Sequence, residues 1–270
     1  MFSPYYAWSG RGDPANHVSL NVALYGPRGN RWAMTERGRG ALNRDATTLA
    51  IGPSALHWNG DCLVIDIDEV TAPLPSRLRG QVRLYPQALA DRAFALDPRA
   101  RHVWQPISPR ARVEVALDQP GVRWSGNGYL DTNHGTEALE HGFVNWNWSR
   151  AHLTRDTVVL YDGARRDGSD FALALRIAPD GTVRDVEMPP PAALPTSRWR
   201  MARATRADAG AVTTVVKTWE DSPFYARTTL ATQLFDEPCT AVHESLSLDR
   251  FASPIVRLML PFRMPRRARR

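Results

Sequence analysis

Apolar and polar residues alternate in short runs along most of the chain. Because successive side chains of a β-strand point to opposite faces, this alternation predicts strands with one buried face. The clearest runs are residues 17–25, 62–70, 111–117, 157–163, 170–178 and 226–235. Turn residues separate them, and the pairs Asn59-Gly60, Asp167-Gly168 and Asp180-Gly181 are typical of hairpins. The pattern therefore predicts an all-β protein built from antiparallel sandwiches or barrels.

Helical periodicity is scarce, and only residues 87–94 and 246–250 predict short helices. The turn sequence DQPG at residues 118–121 lies between two predicted strands and predicts a domain boundary. We therefore expect two β domains, residues 1–118 and residues 119–270. The proline-rich segment 188–197 is either a loop of the second domain or a linker. A loop is favoured, because strands are predicted on both sides of it.

The composition is that of a globular protein, since 43% of the residues are hydrophobic and 23% are charged. The net charge of +6 comes mainly from five arginines among the last eight residues: Arg263, Arg266, Arg267, Arg269 and Arg270. The rest of the chain is close to neutral, so a nucleic-acid partner is not indicated. Apolar residues 255–262 precede this basic cluster. They are either a last strand followed by a solvated tail or a peripheral contact with an anionic membrane.

The two cysteines, Cys62 and Cys239, lack the spacing of a metal site. The opening residues MFSPYYAWSG lack the apolar core of a secretory signal, and no apolar run reaches transmembrane length. These features favour a cytoplasmic protein with free thiols, peripheral to the inner membrane if it contacts one.

Two short polar-aromatic pairs are the strongest candidates for chemistry. His102 and Trp104 form an H-x-W pair, and Tyr129 and Asp131 form a Y-x-D pair. On a strand the members of each pair share a face. Around one apolar cavity, the four would suit protonation of an electron-rich substrate and stabilisation of the resulting cation. The alternative is that Trp104 and Tyr129 are core aromatics, Asp131 caps a turn and His102 lies at a rim.

Other constellations are weaker. His134 and His141 flank a segment with Glu137 and Glu140, but no third ligand follows at a zinc-site spacing. The aromatic pair Trp146 and Trp148 shares a strand face and is typical of a core or an interface. No phosphate-binding loop, dinucleotide fingerprint or nucleophile elbow is present, so neither a cofactor nor a metal is expected.

Several strings together resemble the bacterial carotenoid 1,2-hydratases, also called hydroxyneurosporene synthases. They are FSPYYAW, NVALYG, RWAMTERG, IGPSALHWNGD, LVIDIDE, GYLDTN and WNWSRA, and the similarity runs over nearly the whole chain. GYLDTNHG, WNWS and VVLYDGARRDG also resemble the AttH-like lipocalin relatives. The resemblance implies two lipocalin-like β domains, the first lacking N-terminal strands that the family usually has. It also implies a setting in purple photosynthetic bacteria.

The resemblance further implies cofactor-independent hydration of the C1–C2 double bond of acyclic carotenes such as neurosporene and lycopene. The family's H-x-W and Y-x-D patterns fall on His102, Trp104, Tyr129 and Asp131. We expect Asp131 to be the acid, Trp104 and Tyr129 to stabilise the cation, and His102 to handle water or reload the acid. With the boundary after residue 118, the two pairs would come from different domains. The alternative function is a non-catalytic carrier of hydrophobic isoprenoids.

Overall fold

The computed structural model describes residues 3–27 and 29–267. Within them the α-helices are α1 (Pro4–Trp8), α2 (Leu139–Gly142), α3 (Leu248–Ala252) and α4 (Pro254–Arg263), and Pro14–Asn16 and Arg39–Ala41 form 3-10 turns. The strands are β1 (Asn21–Leu24), β2 (Arg31–Met34), β3 (Glu36–Arg37), β4 (Leu42–Arg44), β5 (Thr48–Ile51), β6 (Ser54–Trp58), β7 (Leu63–Val70), β8 (Arg77–Pro86), β9 (Phe94–Ala95), β10 (His102–Gln119), β11 (Val122–Gly135), β12 (Phe143–His152), β13 (Thr157–Arg165), β14 (Asp170–Ile177), β15 (Val183–Asp185), β16 (Pro191–Leu194), β17 (Arg203–Arg206), β18 (Thr214–Asp221), β19 (Tyr225–Leu234), β20 (Glu237–Ser247) and β21 (Arg266–Arg267). The all-β class predicted from alternation is confirmed.

The chain divides into two compact units that are each discontinuous in sequence. Unit 1 contains residues 1–86, 111–128 and 254–270, and unit 2 contains residues 87–110 and 129–253. The boundary predicted after residue 118 stays a prediction, because these units are defined by contacts and each is assembled from separate stretches of chain.

Unit 1 is built on antiparallel strands in the order β11, β10, β8, β7, β6, β5, β4, to which β10 contributes residues 111–119 and β11 residues 122–128. Its core contains Leu20, Ala33, Ile67, Leu78, Val113, Val115 and Leu117. A buried ion pair joins Arg37 Nη2 to Glu69 Oε2 at 2.7 Å, and Ser54 Oγ donates to the same carboxylate. These contacts satisfy the Glu69 carboxylate, which would otherwise be costly to bury.

Unit 2 is built on a seven-stranded antiparallel sheet in the order β15, β14, β13, β12, β20, β19, β18. Its core contains Ala151, Leu153, Val158, Leu160, Ala174, Leu194, Leu230, Leu234 and Ala241. β12 and β13 approach closely at Gly163, where a Cβ atom would lie 2.4 Å from the Asn145 carbonyl and 2.8 Å from the Phe171 ring. A larger residue there would push the two strands apart.

The expectation of a helix at residues 87–94 is wrong. The backbone N–H groups of Gln87 and Ala90 donate to Arg110 and Ile107 of β10, so this segment bonds to a strand and cannot form helical bonds. The helix expected at residues 246–250 occurs as α3, which begins at Leu248 after the N-cap Ser247, whereas residues 246–247 end β20.

Residues 255–262 form α4, so the alternative of a last strand there is wrong. Apolar residues occur in this segment at both odd and even positions, so it lacks the strict alternation of a strand with one buried face. The pattern fits a helix that is apolar on two sides. Pro254 occupies the first helical position, where its missing N–H leaves no helical bond unmade. Among the described residues, none of the helices combines the length and apolarity that a membrane crossing requires.

Candidate active site

Three of the four predicted residues form one hydrogen-bonded group inside unit 2. β10 carries Trp104 and β11 carries Tyr129 and Asp131. The indole Nε1 of Trp104 donates to Asp131 Oδ2 at 2.8 Å, and the Tyr129 hydroxyl donates to the same oxygen at 3.1 Å. The i, i+2 spacing on β11 therefore does place Tyr129 and Asp131 on one face. Two donors on Oδ2 leave Oδ1 as the oxygen that can carry an acidic proton.

The environment of Asp131 favours its protonated form. Burial raises the pKa of the Asp131 carboxyl, and this effect outweighs the hydrogen bonds from Trp104 and Tyr129, which act to lower it. Burial and the neighbouring carboxyl together also raise the pKa of Tyr129, so its hydroxyl keeps its proton and remains a donor. The group is thus suited to hold a proton and to stabilise the carboxylate once the proton has left.

A cation lies beside this group. The Arg150 guanidinium lies 4.9 Å from the centroid of the Tyr129 ring, and its charge acts to lower the pKa of Asp131. Arg150 Nη1 contacts Nε2 of His152 at 3.0 Å, and burial, with the nearby arginine charges, lowers the pKa of His152 to about 4. A neutral His152 can accept from Arg150 and donate from Nδ1 to the Thr157 hydroxyl at 2.9 Å. Thr157 and His152 therefore position the guanidinium beside the acid.

Aromatic rings surround the carboxyl group and its donors. The Trp148 ring lies 5.3 Å from the Tyr129 ring, and Tyr161 meets Trp104 edge-on at 5.6 Å. Trp146 lies 5.1 Å from Tyr161, so β12 and β13 supply one side of this aromatic shell. Trp104 has no exposed surface, whereas Tyr129 and Trp148 are partly exposed. The rings make the surroundings apolar and offer electron-rich faces to a cation.

His102 lies in a separate group, bonded to a residue that spacing did not predict. Its backbone N–H and its Nδ1 contact Asp97 Oδ2 at 2.8 Å and 3.1 Å. Burial acts to raise the pKa of Asp97, but hydrogen bonds from three backbone N–H groups and from the His102 ring hold it below its usual range. An ionised Asp97 accepts from Nδ1–H, so the neutral imidazole would have its lone pair on Nε2. Among the described residues, that buried Nε2 has no hydrogen-bond partner.

A chain of aromatic contacts connects the two groups. The His102 ring contacts Phe143 at 4.8 Å, Phe143 contacts Phe171 at 5.4 Å, and Phe171 contacts Tyr161 at 5.3 Å. Tyr161 in turn contacts Trp104. In the described part of the chain no hydrogen bond joins His102 to Asp131. All four predicted residues belong to unit 2.

Sequence reasoning missed four residues of this site. Asp97 and Arg150 carried no motif, and Trp146 and Trp148 were interpreted as core or interface. The available signal was the i, i+2 series Trp146, Trp148, Arg150 on one strand, which places an arginine on the same face as two indoles. Within the described residues no cluster of His, Cys, Asp or Glu could hold a metal ion, and both cysteines are free thiols.

Comparisons with known proteins extend over the whole chain. The family described as carotenoid hydratase CrtC matches residues 1–270. The acyclic carotenoid 1,2-hydratase of Thiocapsa roseopersicina is 56% identical over 270 residues, which are 98% of this chain and 67% of that protein. The enzyme of the same name from Cereibacter sphaeroides is 44% identical over 268 residues, covering 99% of this chain and 95% of that protein.

A solved structure supports the fold. The crystal structure of an AttH protein from Nitrosomonas europaea matches with a TM-score of 0.61 and 14% sequence identity, covering 84% of this chain and 79% of that one. At this identity the likeness concerns the fold alone, and it confirms the predicted lipocalin-like all-β class.

Proposed function

The chain belongs to the carotenoid hydratase family, and from this premise we propose that it adds water to the C1–C2 double bond of acyclic carotenes in carotenoid biosynthesis. Neurosporene and lycopene are the proposed substrates. The observation that carries the proposal within the site is the partly buried Asp131 carboxyl, which accepts two hydrogen bonds on one oxygen and lies among aromatic rings. The relatives do not favour a non-catalytic isoprenoid carrier.

The first step is protonation of the alkene. Asp131 Oδ1 gives its proton to C2, the π electrons form the new C–H bond, and a tertiary cation remains at C1. The carboxylate that forms is stabilised by the N–H of Trp104, the O–H of Tyr129 and the charge of Arg150. Burial raises the pKa of Asp131 and so favours its protonated form before the step, and the donors lower the energy of its conjugate base during the step.

The cation at C1 requires electron-rich neighbours. Our sequence-based assignment of Trp104 and Tyr129 to this role stays a prediction, and Trp104 has the further role of donor to Asp131. The partly exposed ring of Trp148, packed on Tyr129, extends the proposed set. Each desolvated aromatic face can stabilise a cation by about 2 kcal/mol.

The second step is addition of water. A water oxygen bonds to C1, one of its protons leaves, and the tertiary alcohol is formed. We assign orientation of this water, or acceptance of its proton, to Nε2 of His102, which Asp97 holds in the tautomer with a free lone pair. The proton then returns to Asp131, so the acid is regenerated and no redox cofactor takes part.

The reaction is tested by supplying the purified protein with lycopene and following the pigments by chromatography and mass spectrometry. The proposal predicts 1-hydroxylycopene, heavier than lycopene by one water, with a hydroxyl at C1. Uptake of lycopene without conversion would instead establish a carrier. Neurosporene supplied in parallel determines the preferred carotene.

The substrates determine where the protein works. Acyclic carotenes are hydrocarbons that partition into membranes, so we propose that the protein acts from the cytoplasmic side, at the surface of the inner membrane.

A further inference from the structure

Helix α4 presents large apolar side chains to solvent. Ile255 is 73% exposed, Leu258 66%, Met259 45% and Phe262 72%. These positions follow the i, i+3, i+4, i+7 spacing, so on a helix of 3.6 residues per turn they form one continuous stripe. We call these four residues the α4 stripe. An exposed apolar stripe over two helical turns is costly in water and marks an interaction surface.

The opposite side of the same helix fixes it to unit 1. Val256 and Leu260 are buried, and α4 contacts α1 and β2. The indole Nε1 of Trp32 donates to the carbonyl of Arg263 at 3.0 Å, and the Arg263 guanidinium lies 4.5 Å from the Trp32 ring. The packing of the opposite side of α4 on unit 1 therefore fixes the stripe in its solvent-facing orientation.

The charged residues of the segment that carries the stripe all have one sign. Residues 254–270 contain six arginines and neither aspartate nor glutamate. Arg257 belongs to α4 itself, and the exposed Arg267 follows it in β21. Apolar side chains flanked by cations match the two layers of an anionic membrane surface, where acyl chains lie beneath negative headgroups.

We propose that the α4 stripe is a docking surface for an anionic lipid bilayer. Ile255, Leu258, Met259 and Phe262 enter the boundary between headgroups and acyl chains, and the arginines contact the lipid phosphates. The inference rests on the proposed function only for its purpose, which is to bring the protein to a carotene dissolved in the membrane. Binding to vesicles without any substrate is independent of catalysis.

The test compares binding of the full chain to two kinds of vesicle by flotation. One kind contains phosphatidylcholine and phosphatidylglycerol in equal amounts, and the other contains phosphatidylcholine alone. We expect binding to the anionic vesicles, weakened by added salt and much lower on the neutral vesicles. In Leu258→Ser/Phe262→Ser the affinity for anionic vesicles should fall about tenfold or more, because two large apolar side chains that would be buried in the lipid are removed. These residues are exposed, so the variant should fold.

Leu74→Ser/Val212→Ser is the matched control, because Leu74 is 82% and Val212 79% exposed outside α4. It should bind as the unmodified chain does. The proposal is overturned if the unmodified chain does not bind anionic vesicles, or if the α4 variant and the control lose binding equally. It is also overturned if the stripe joins two copies, seen as a dimer that the α4 variant dissociates without any effect on vesicle binding.

A catalytic readout separates this inference from the proposed function. On lycopene dispersed in detergent, the α4 variant should hydrate at the rate of the unmodified chain. On lycopene embedded in anionic vesicles, its rate should fall in parallel with binding. Absence of hydration in every arm would overturn the proposed function and leave the vesicle-binding result intact.

Discussion

The Asp131 carboxyl is subject to opposed influences. Burial raises its pKa, while Trp104, Tyr129 and Arg150 act in the other direction. Because burial dominates, the folded protein binds this proton more tightly than the unfolded chain does. Near neutral pH this carboxyl therefore lowers the free energy of unfolding. Such a loss of stability is common for residues with a chemical role.

Replacing this carboxyl should reveal that cost. A group whose pKa is raised by folding loses its stabilising contribution as the pH rises through the folded-state value. Asp131→Asn keeps an oxygen that can accept from Trp104 and Tyr129 but cannot ionise. We expect its free energy of unfolding, relative to the unmodified protein, to increase as the pH rises from about 4 to 8. Denaturant unfolding measured across this range would contradict the account if the difference stayed flat.

Tyr129 adjusts the acid through one hydrogen bond. Its hydroxyl acts to lower the pKa of Asp131, so Tyr129→Phe should raise that pKa further. The pH above which hydration declines should shift upward, and the maximal rate should fall by up to about 10²-fold as the carboxylate loses a donor. A pH–rate profile gives both quantities. An unshifted profile would contradict the assignment, and Tyr85→Phe, in unit 1, is the control.

We infer that Asp97 acts by positioning His102, to which it is hydrogen-bonded. In Asp97→Asn the amide can present N–H to Nδ1, which favours the tautomer with the proton on Nε2. We expect the hydration rate to fall at least about tenfold, with a small change in KM. Asp97→Glu should recover part of the rate if the carboxylate is what matters. Equal losses in both variants would indicate a purely structural role.

Strands explain how residues far apart in sequence become one site. β10 and β11 carry Trp104 and Asp131, and β12 adds Trp148 and Arg150 on one face. Alternation predicted the strands because one face of each is buried, as in β19, where buried and partly buried positions alternate throughout. Alternation does not show which strands lie side by side. Only the family resemblance indicated that Trp104 and Asp131 belong to one site.

Short apolar segments were the least predictable elements. Residues 87–94 look helical but bond along β10, and residues 255–262 look like a strand but form α4. In both cases the deciding contacts are tertiary, and a short run of apolar residues fits either geometry. The pairing of Asp97 with His102 was also not predicted. The two residues are close in sequence, but their contact depends on the turn between them.

The packing of β17 on β20 depends on a neutral histidine. The buried His243 donates from Nε2 to the Ala204 carbonyl at 2.9 Å, and burial lowers the pKa of His243 to about 4. A histidine whose pKa is depressed by folding stabilises the protein above its unfolded-state value, and this contribution is lost as the pH falls toward 4. The contribution of His243 to the free energy of unfolding should therefore decrease between about pH 6.5 and 4.

The His243→Gln variant should show a shallower decrease over that interval, because glutamine keeps an N–H donor and has no charge to gain. Chemical denaturation at several pH values measures the slope. His134→Gln, at an exposed position, should leave it unchanged. A His243→Gln slope equal to that of the unmodified protein would show that this histidine does not couple folding to protons.

On the scale of the whole molecule, the proposed catalytic residues and the proposed lipid contact belong to different units. Asp131 and its neighbours are in unit 2, and the α4 stripe is in unit 1. Composition and alternation were sufficient for the all-β class, and motif resemblance was sufficient for the family. The discontinuous units could not be predicted, because residues 87–110 and 254–270 join units that their sequence neighbours do not.

The central claim is that Asp131 supplies the proton for hydration. The most direct measurement is conversion of lycopene to 1-hydroxylycopene by Asp131→Asn, with Asp180→Asn and the unmodified chain assayed beside it and circular dichroism confirming that all three are folded. The account predicts a loss of at least about 10²-fold in rate for Asp131→Asn and none for Asp180→Asn. Conversion by a folded Asp131→Asn variant at the rate of the unmodified chain would contradict it.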